Sequence, residues 1–189
     1  MTSMLLLLIQ IICTLFCAAL LLGAWFYWLR IPAFNPLVSN VTQLTNWLVV
    51  PLRKALPSTR YVDIGSLVAA YLTCAVQLLL TLLLIMGGQL GAVLIYIPLE
   101  ALLVLAKNIL NLVFWLTLFY AIMSWVNPLS PAMTLFRALL EPVLAPIRSL
   151  PVLNKMQGID LSPLVLVIIC QILLVGIRSF SSPIFQYLI

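Results

Sequence analysis

From Leu5 to Leu29 the chain carries no charged residue. At 1.5 Å rise per residue, a helix of that length crosses the ~30 Å hydrocarbon core of a bilayer. Further apolar runs of spanning length follow at 64–86, about 102–125 and 161–180. Composition points the same way. The chain is 65% hydrophobic and 7% charged, whereas soluble domains carry roughly 25% charged residues. Lipid must solvate much of this surface. In lipid every backbone polar group needs an internal partner, which long apolar runs achieve as helices. The expected fold is therefore an all-α membrane protein with about four transmembrane helices. A cleaved signal peptide fits the first run poorly, because no basic residue precedes it and it exceeds a typical h-region.

Between the spans lie segments of a different kind. In 37–52, Leu37, Val41, Leu44, Leu48 and Leu52 recur at helical steps, with Ser39, Asn40, Gln43 and Asn46 on the other face. The segment is too polar to span and should lie in the headgroup plane; 132–144 reads in the same way. Ala92–Val126 is longer than one span and holds Pro98, Glu100 and Lys107. It reads as a span from about 102 to 125, preceded by a helical or re-entrant extension. A separate short hairpin is the alternative.

The halves repeat. Asn35-Pro36-Leu37 matches Asn127-Pro128-Leu129, Pro51-Leu52-Arg53 matches Pro146-Ile147-Arg148, and Pro57 matches Pro151. Asp63-Ile64-Gly65-Ser66 matches Asp160-Leu161-Ser162-Pro163. Residues 1–90 thus form one repeat and 91–189 a second, each reading span, interfacial amphipathic helix, basic proline-rich loop, span. Two spans return the chain to its starting side, so the repeats are parallel rather than inverted. Arg30, Arg53, Lys54, Arg60, Arg137, Arg148 and Lys155 all lie in the linking segments. By the positive-inside rule these basic loops are cytoplasmic and both termini periplasmic.

Trp125-Val126-Asn127-Pro128, the run Glu141-Pro142-Val143-Leu144-Ala145-Pro146-Ile147-Arg148, and Asp160-Leu161-Ser162-Pro163 together resemble the YGGT family of bacterial and plastid membrane proteins. The two-unit layout is typical of its bacterial members. The first half departs from the pattern, with Asn46-Trp47 at a Thr-Glu-Pro-like turn and Gly65-Ser66 in place of Ser-Pro. The resemblance implies a bacterial inner-membrane location and links to envelope processes and osmotic or ion stress. In plastid relatives it implies a link to assembly of a haem-bearing cytochrome. It brings no catalytic residue and no cofactor.

The candidate docking or lipid-contact loop comprises Asn127, Pro128, Glu141, Pro142, Pro146, Arg148, Pro151, Asp160, Ser162 and Pro163. Its first-repeat equivalents are Asn35, Pro36, Pro51, Arg53, Pro57 and Asp63. Asp63 and Asp160 each precede a span and read first as helix caps, with a cytoplasmic docking or ion-contacting role as the sharper alternative. In that alternative Arg60 or Arg148 is the neighbour. Ser162 with Pro163 is a strong start signal. Glu141 is expected to pair with Arg137, four residues back. Arg53 and Arg148 suit phospholipid phosphates, which arginine holds with two hydrogen bonds. Glu100 and Lys107, seven apart, share a helix face at membrane depth, where charge is costly. The bland reading has both reaching the outer interface. Gln77 and Gln171 are expected to hydrogen-bond between helices. Cys13 and Cys17, four apart, share a helix face and read as packing residues, as do Cys74 and Cys170; a redox pair is the alternative.

There is no histidine, and no phosphate loop, nucleophile elbow or metal-ligand spacing is visible. The leading expectation is a non-enzymatic membrane scaffold or assembly factor without a cofactor. Its partners would be the bilayer, anionic headgroups and an unidentified membrane protein, with homo-oligomers possible and nucleic acid excluded. The alternative is a small oligomeric ion channel or carrier resting on Glu100 and Lys107. A haem-handling factor is a third reading, against which the missing histidines count.

Overall fold

The computed structural model describes residues 2–32, 35–56, 59, 62–86, 93–149 and 161–180. Among them are six α-helices: α1 (Thr2–Trp28), α2 (Pro36–Ala55), α3 (Ile64–Met86), α4 (Ile97–Val126), α5 (Pro131–Arg148) and α6 (Ser162–Phe180). Four are long and apolar enough to cross a membrane, within 3–28, 64–85, 94–126 and 162–180. The fold is that of an all-α membrane protein. The segment before the third span resolves as a 3₁₀ turn, Leu94–Tyr96, leading directly into α4. No hairpin interrupts it. Pro98 is the second residue of α4, where its missing N–H would have had no intrahelical partner.

Two compact units are present, the second being Leu110–Ser179. The first contains α1, α2, α3 and the start of α4 to Ile109, so α4 runs through the boundary.

In the first unit α1 packs along α3, and α2 lies against both. The buried stripe of α3 is Ala70, Cys74, Leu78 and Leu82. Its four-residue steps keep it on one face. Small residues at its start, Ala69 and Ala70, admit the close helix contact that drives association in lipid. From α1 it receives Cys17, Leu20, Leu21 and Phe26. The opposite side of early α1, with Leu7, Ile11 and Leu15, is exposed, as lipid-facing residues must be. Phe16 stacks on Trp47 of α2 at 5.5 Å between ring centroids.

α1 ends in a Schellman motif. Ile31 N–H donates to Phe26 O at 3.0 Å and Arg30 N–H to Tyr27 O at 3.1 Å. The residue at the left-handed position is Arg30, with φ 53°, where glycine is usual. A non-glycine residue there costs about 1 kcal/mol.

In the second unit α4 contributes Leu112, Val113, Leu116, Thr117 and Tyr120 to the interior. α5 contributes a stripe of Leu135, Leu139, Leu140 and Leu144, and Phe119 of α4 stacks with Phe136 of α5 at 6.5 Å.

Candidate functional site

The two Asn-Pro pairs, Asn35-Pro36 and Asn127-Pro128, sit in different local settings. Asn35 does cap α2: its Oδ1 accepts from Leu37 N–H at 3.0 Å, with Pro36 at the first helical position. Asn127 does not play that part for α5. The cap is Ser130, whose Oγ accepts from Met133 N–H at 3.2 Å, followed by Pro131. Asn127 instead closes the turn after α4, its N–H donating to Met123 O at 2.9 Å and its carbonyl accepting from Ser130 N–H at 3.3 Å. With Ser130-Pro131 set against Asn35-Pro36, one constant offset carries the cap, the interior proline (Pro51, Pro146) and the arginine (Arg53, Arg148). The Asn-Pro identity was the more visible signal. The residues that share the cap geometry are Asn35 and Ser130, each followed by proline.

At the end of α2 the guanidinium of Arg53 grips Asp63 with both forks. Nε donates to Oδ1 at 3.1 Å and Nη2 to Oδ2. The Asp63 side chain has no exposure, while that of Arg53 is 40% exposed. The same carboxylate starts α3: Ser66 Oγ donates to Oδ2 at 2.5 Å and Ser66 N–H reaches Oδ1 at 3.4 Å. Asp63 is thus both cap and ion-pair partner, and among the described residues it meets Arg53, ten residues earlier. The hydrogen bond to Asp63 raises the Arg53 pKa further above its ordinary value, against the opposing effect of burial. The pair therefore stays charged on the arginine side across any ordinary pH. Arg53 also lies over the Tyr27 ring, 5.7 Å from its centroid, a cation–π contact with the end of α1.

Gly65 makes this approach possible. A Cβ at Gly65 would stand 2.8 Å from Arg53 Cγ and 3.4 Å from the Arg53 backbone nitrogen. The glycine that breaks the Ser-Pro pattern is what lets α2 seat against the foot of α3.

In the second unit Arg148 Nη1 donates to both oxygens of Glu141, at 3.1 and 3.0 Å, and Nη2 donates to Tyr120 Oη at 3.2 Å. The carboxylate that spacing assigns to Arg137 is held by Arg148. Two helical turns separate Glu141 from Arg148, a reach both long side chains make. Pro142 and Pro146 lie inside α5. Ser162 and Pro163 are buried at the start of α6. A cleft of about 550 Å³ lies between late α4 and early α6, with Tyr120, Trp125, Leu161 and Pro163 in its wall. Pro57, Arg60, Pro151, Lys155 and Asp160 lie outside the described residues.

Glu100 lies in the first turn of α4 and is 3% exposed. Lys107, two turns on, is half-buried. Of the two glutamines, Gln171 is exposed, and Gln77 is buried with no hydrogen-bond partner for Oε1 among the described residues. The interhelical amide contact is made by a residue that sequence reasoning passed over. Asn108 Nδ2 of α4 donates to Cys74 Sγ of α3 at 3.5 Å. No composition signal marks it; only its burial in a span does.

The fold and its junctions define a polytopic helical membrane protein in which the basic ends of α2 and α5 are fastened by carboxylates and tyrosines. The CCB3/YggT family model matches residues 2–84 and 99–180, and the chain belongs to that family. It is similar to the uncharacterized protein YggT of Escherichia coli (strain K12), 33% identical over 91% of this chain and 88% of the relative. An uncharacterized protein from the proC 3′ region of Vibrio alginolyticus is 32% identical over 85% of this chain and 86% of its own length. One from Haemophilus influenzae is 30% identical over 79% and 78%. No solved structure matches the chain.

Proposed function

We propose that the protein is an inner-membrane scaffold or assembly factor that meets its partner and anionic headgroups through the basic ends of α2 and α5. The Arg53–Asp63–Ser66 junction carries this reading. A bidentate pair, a cation–π contact and a glycine seat hold one arginine at the mouth of a span, with 40% of its side chain outward. Fixed, partly exposed arginines suit phosphate and carboxylate recognition. A role in envelope, osmotic or ion stress is the expected context, with the basic loops cytoplasmic and the two repeats parallel. The test is site-specific photo-crosslinking in living cells from Lys54 and Ser149. Capture of the same membrane protein from both, lost in Arg53→Met at normal abundance, supports the reading. Lipid alone at both positions refutes the partner.

A second reading, an oligomeric ion path, is favoured by the buried Glu100. Glu100→Gln at normal abundance should leave growth under salt shock intact for a scaffold. Loss of growth there would favour the ion path.

A further inference from the structure

Cys17 and Cys74 are both fully buried, and their sulfurs lie 3.7 Å apart across the α1–α3 seam. Neither is bonded to another cysteine. Sequence spacing points to Cys13 with Cys17; the helix pairing instead brings Cys17 against Cys74. Their surroundings are not those of inert apolar thiols. Asn108 donates an amide hydrogen to Cys74 Sγ, a polar contact made directly at the pair. One turn along the same helix, Gln77 turns an Oε1 without a partner into the interior. A buried carbonyl oxygen of this kind favours a small donor molecule.

We propose that Cys17 and Cys74 form an intramembrane dithiol that a hydroperoxide oxidises to a disulfide, clamping α1 to α3. One thiol of the pair attacks one peroxide oxygen. The O–O bond breaks, the thiol proton leaves with the alcohol or water released, and that sulfur becomes a sulfenic acid. The other thiol then attacks this sulfur, the S–O bond breaks and water leaves with the second thiol proton. In sum, two S–H bonds and one O–O bond break, and one S–S and two O–H bonds form. The two sulfurs lose two electrons, which the peroxide gains. Forming the bond closes the sulfurs from 3.7 Å to the ~2.05 Å of a disulfide. The product is neutral and apolar, as membrane depth requires.

Native membranes holding the full-length protein are treated with hydrogen peroxide, alkylated under denaturing conditions and mapped by mass spectrometry with and without reductant. The expected product links the Cys17 and Cys74 peptides in more than half of the protein, and reductant abolishes it. Cys13→Ala and Cys170→Ala retain the link. Four fully alkylated thiols overturn the proposal. So do a link through Cys13, or sulfinic and sulfonic acids without a link. The wild-type protein alone decides the matter, so poor folding of a variant does not obscure it.

Discussion

Arg53 and Arg148 stand at the same place in two helices of the same design, and they are fastened differently. α2 contains no acidic residue, so Arg53 reaches off its helix to a fully buried carboxylate at the foot of the next span. α5 carries its own acid, and Arg148 closes on Glu141, whose side chain is 50% exposed. The first pair ties one helix to another. The second stiffens the helix that owns it, while Tyr120 supplies the contact with a span. Whether an ion pair couples elements or decorates one is decided by where the nearest carboxylate sits.

The largest effect should follow from breaking the first pair. Arg53→Met removes the forked partner of a buried carboxylate, and breaking a fully buried pair costs on the order of 3–5 kcal/mol. Because Arg53 is part exposed, about 2–3 kcal/mol is expected. Unfolding of the detergent-solubilised protein should show it, and Arg53→Lys should recover only part, lacking the fork. Gly65→Val comes next: forcing Arg53 aside should cost about 2 kcal/mol. The position matched to it is Ser162, which already carries a Cβ, so Ser162→Ala should be milder by the same assay. The caps should behave alike in both units. Asn35→Ala and Ser130→Ala should each cost about 1 kcal/mol, and unequal losses would show that the two helices are not equivalent. Smallest of all is Arg148→Met, at about 0.5 kcal/mol, since it leaves Glu141 in contact with water. A loss as large as that of Arg53→Met would erase the contrast.

Spans were legible in the sequence because length and hydropathy alone decide them. The 64–86 run became α3 to the residue. The start of the third span was less legible, since Pro98 reads either as a break or as a first-turn residue. The junction was not legible. Arg53, Lys54 and Arg60 offered Asp63 three cations within a short stretch, and Gly65 looked like a lost motif rather than a seat. The Cys17–Cys74 contact depends on how two helices are rotated about their axes, and uniformly apolar spans encode that rotation weakly.

The spanning helices also differ in length. α4 has 30 residues and α6 has 19, which at 1.5 Å per residue are about 45 and 28 Å. A bilayer core of ~30 Å leaves α4 with surplus to absorb by tilt or protrusion. Thickening the membrane by a few ångströms therefore draws more of α4 into hydrocarbon, with Glu100 in its first turn the charge nearest that edge.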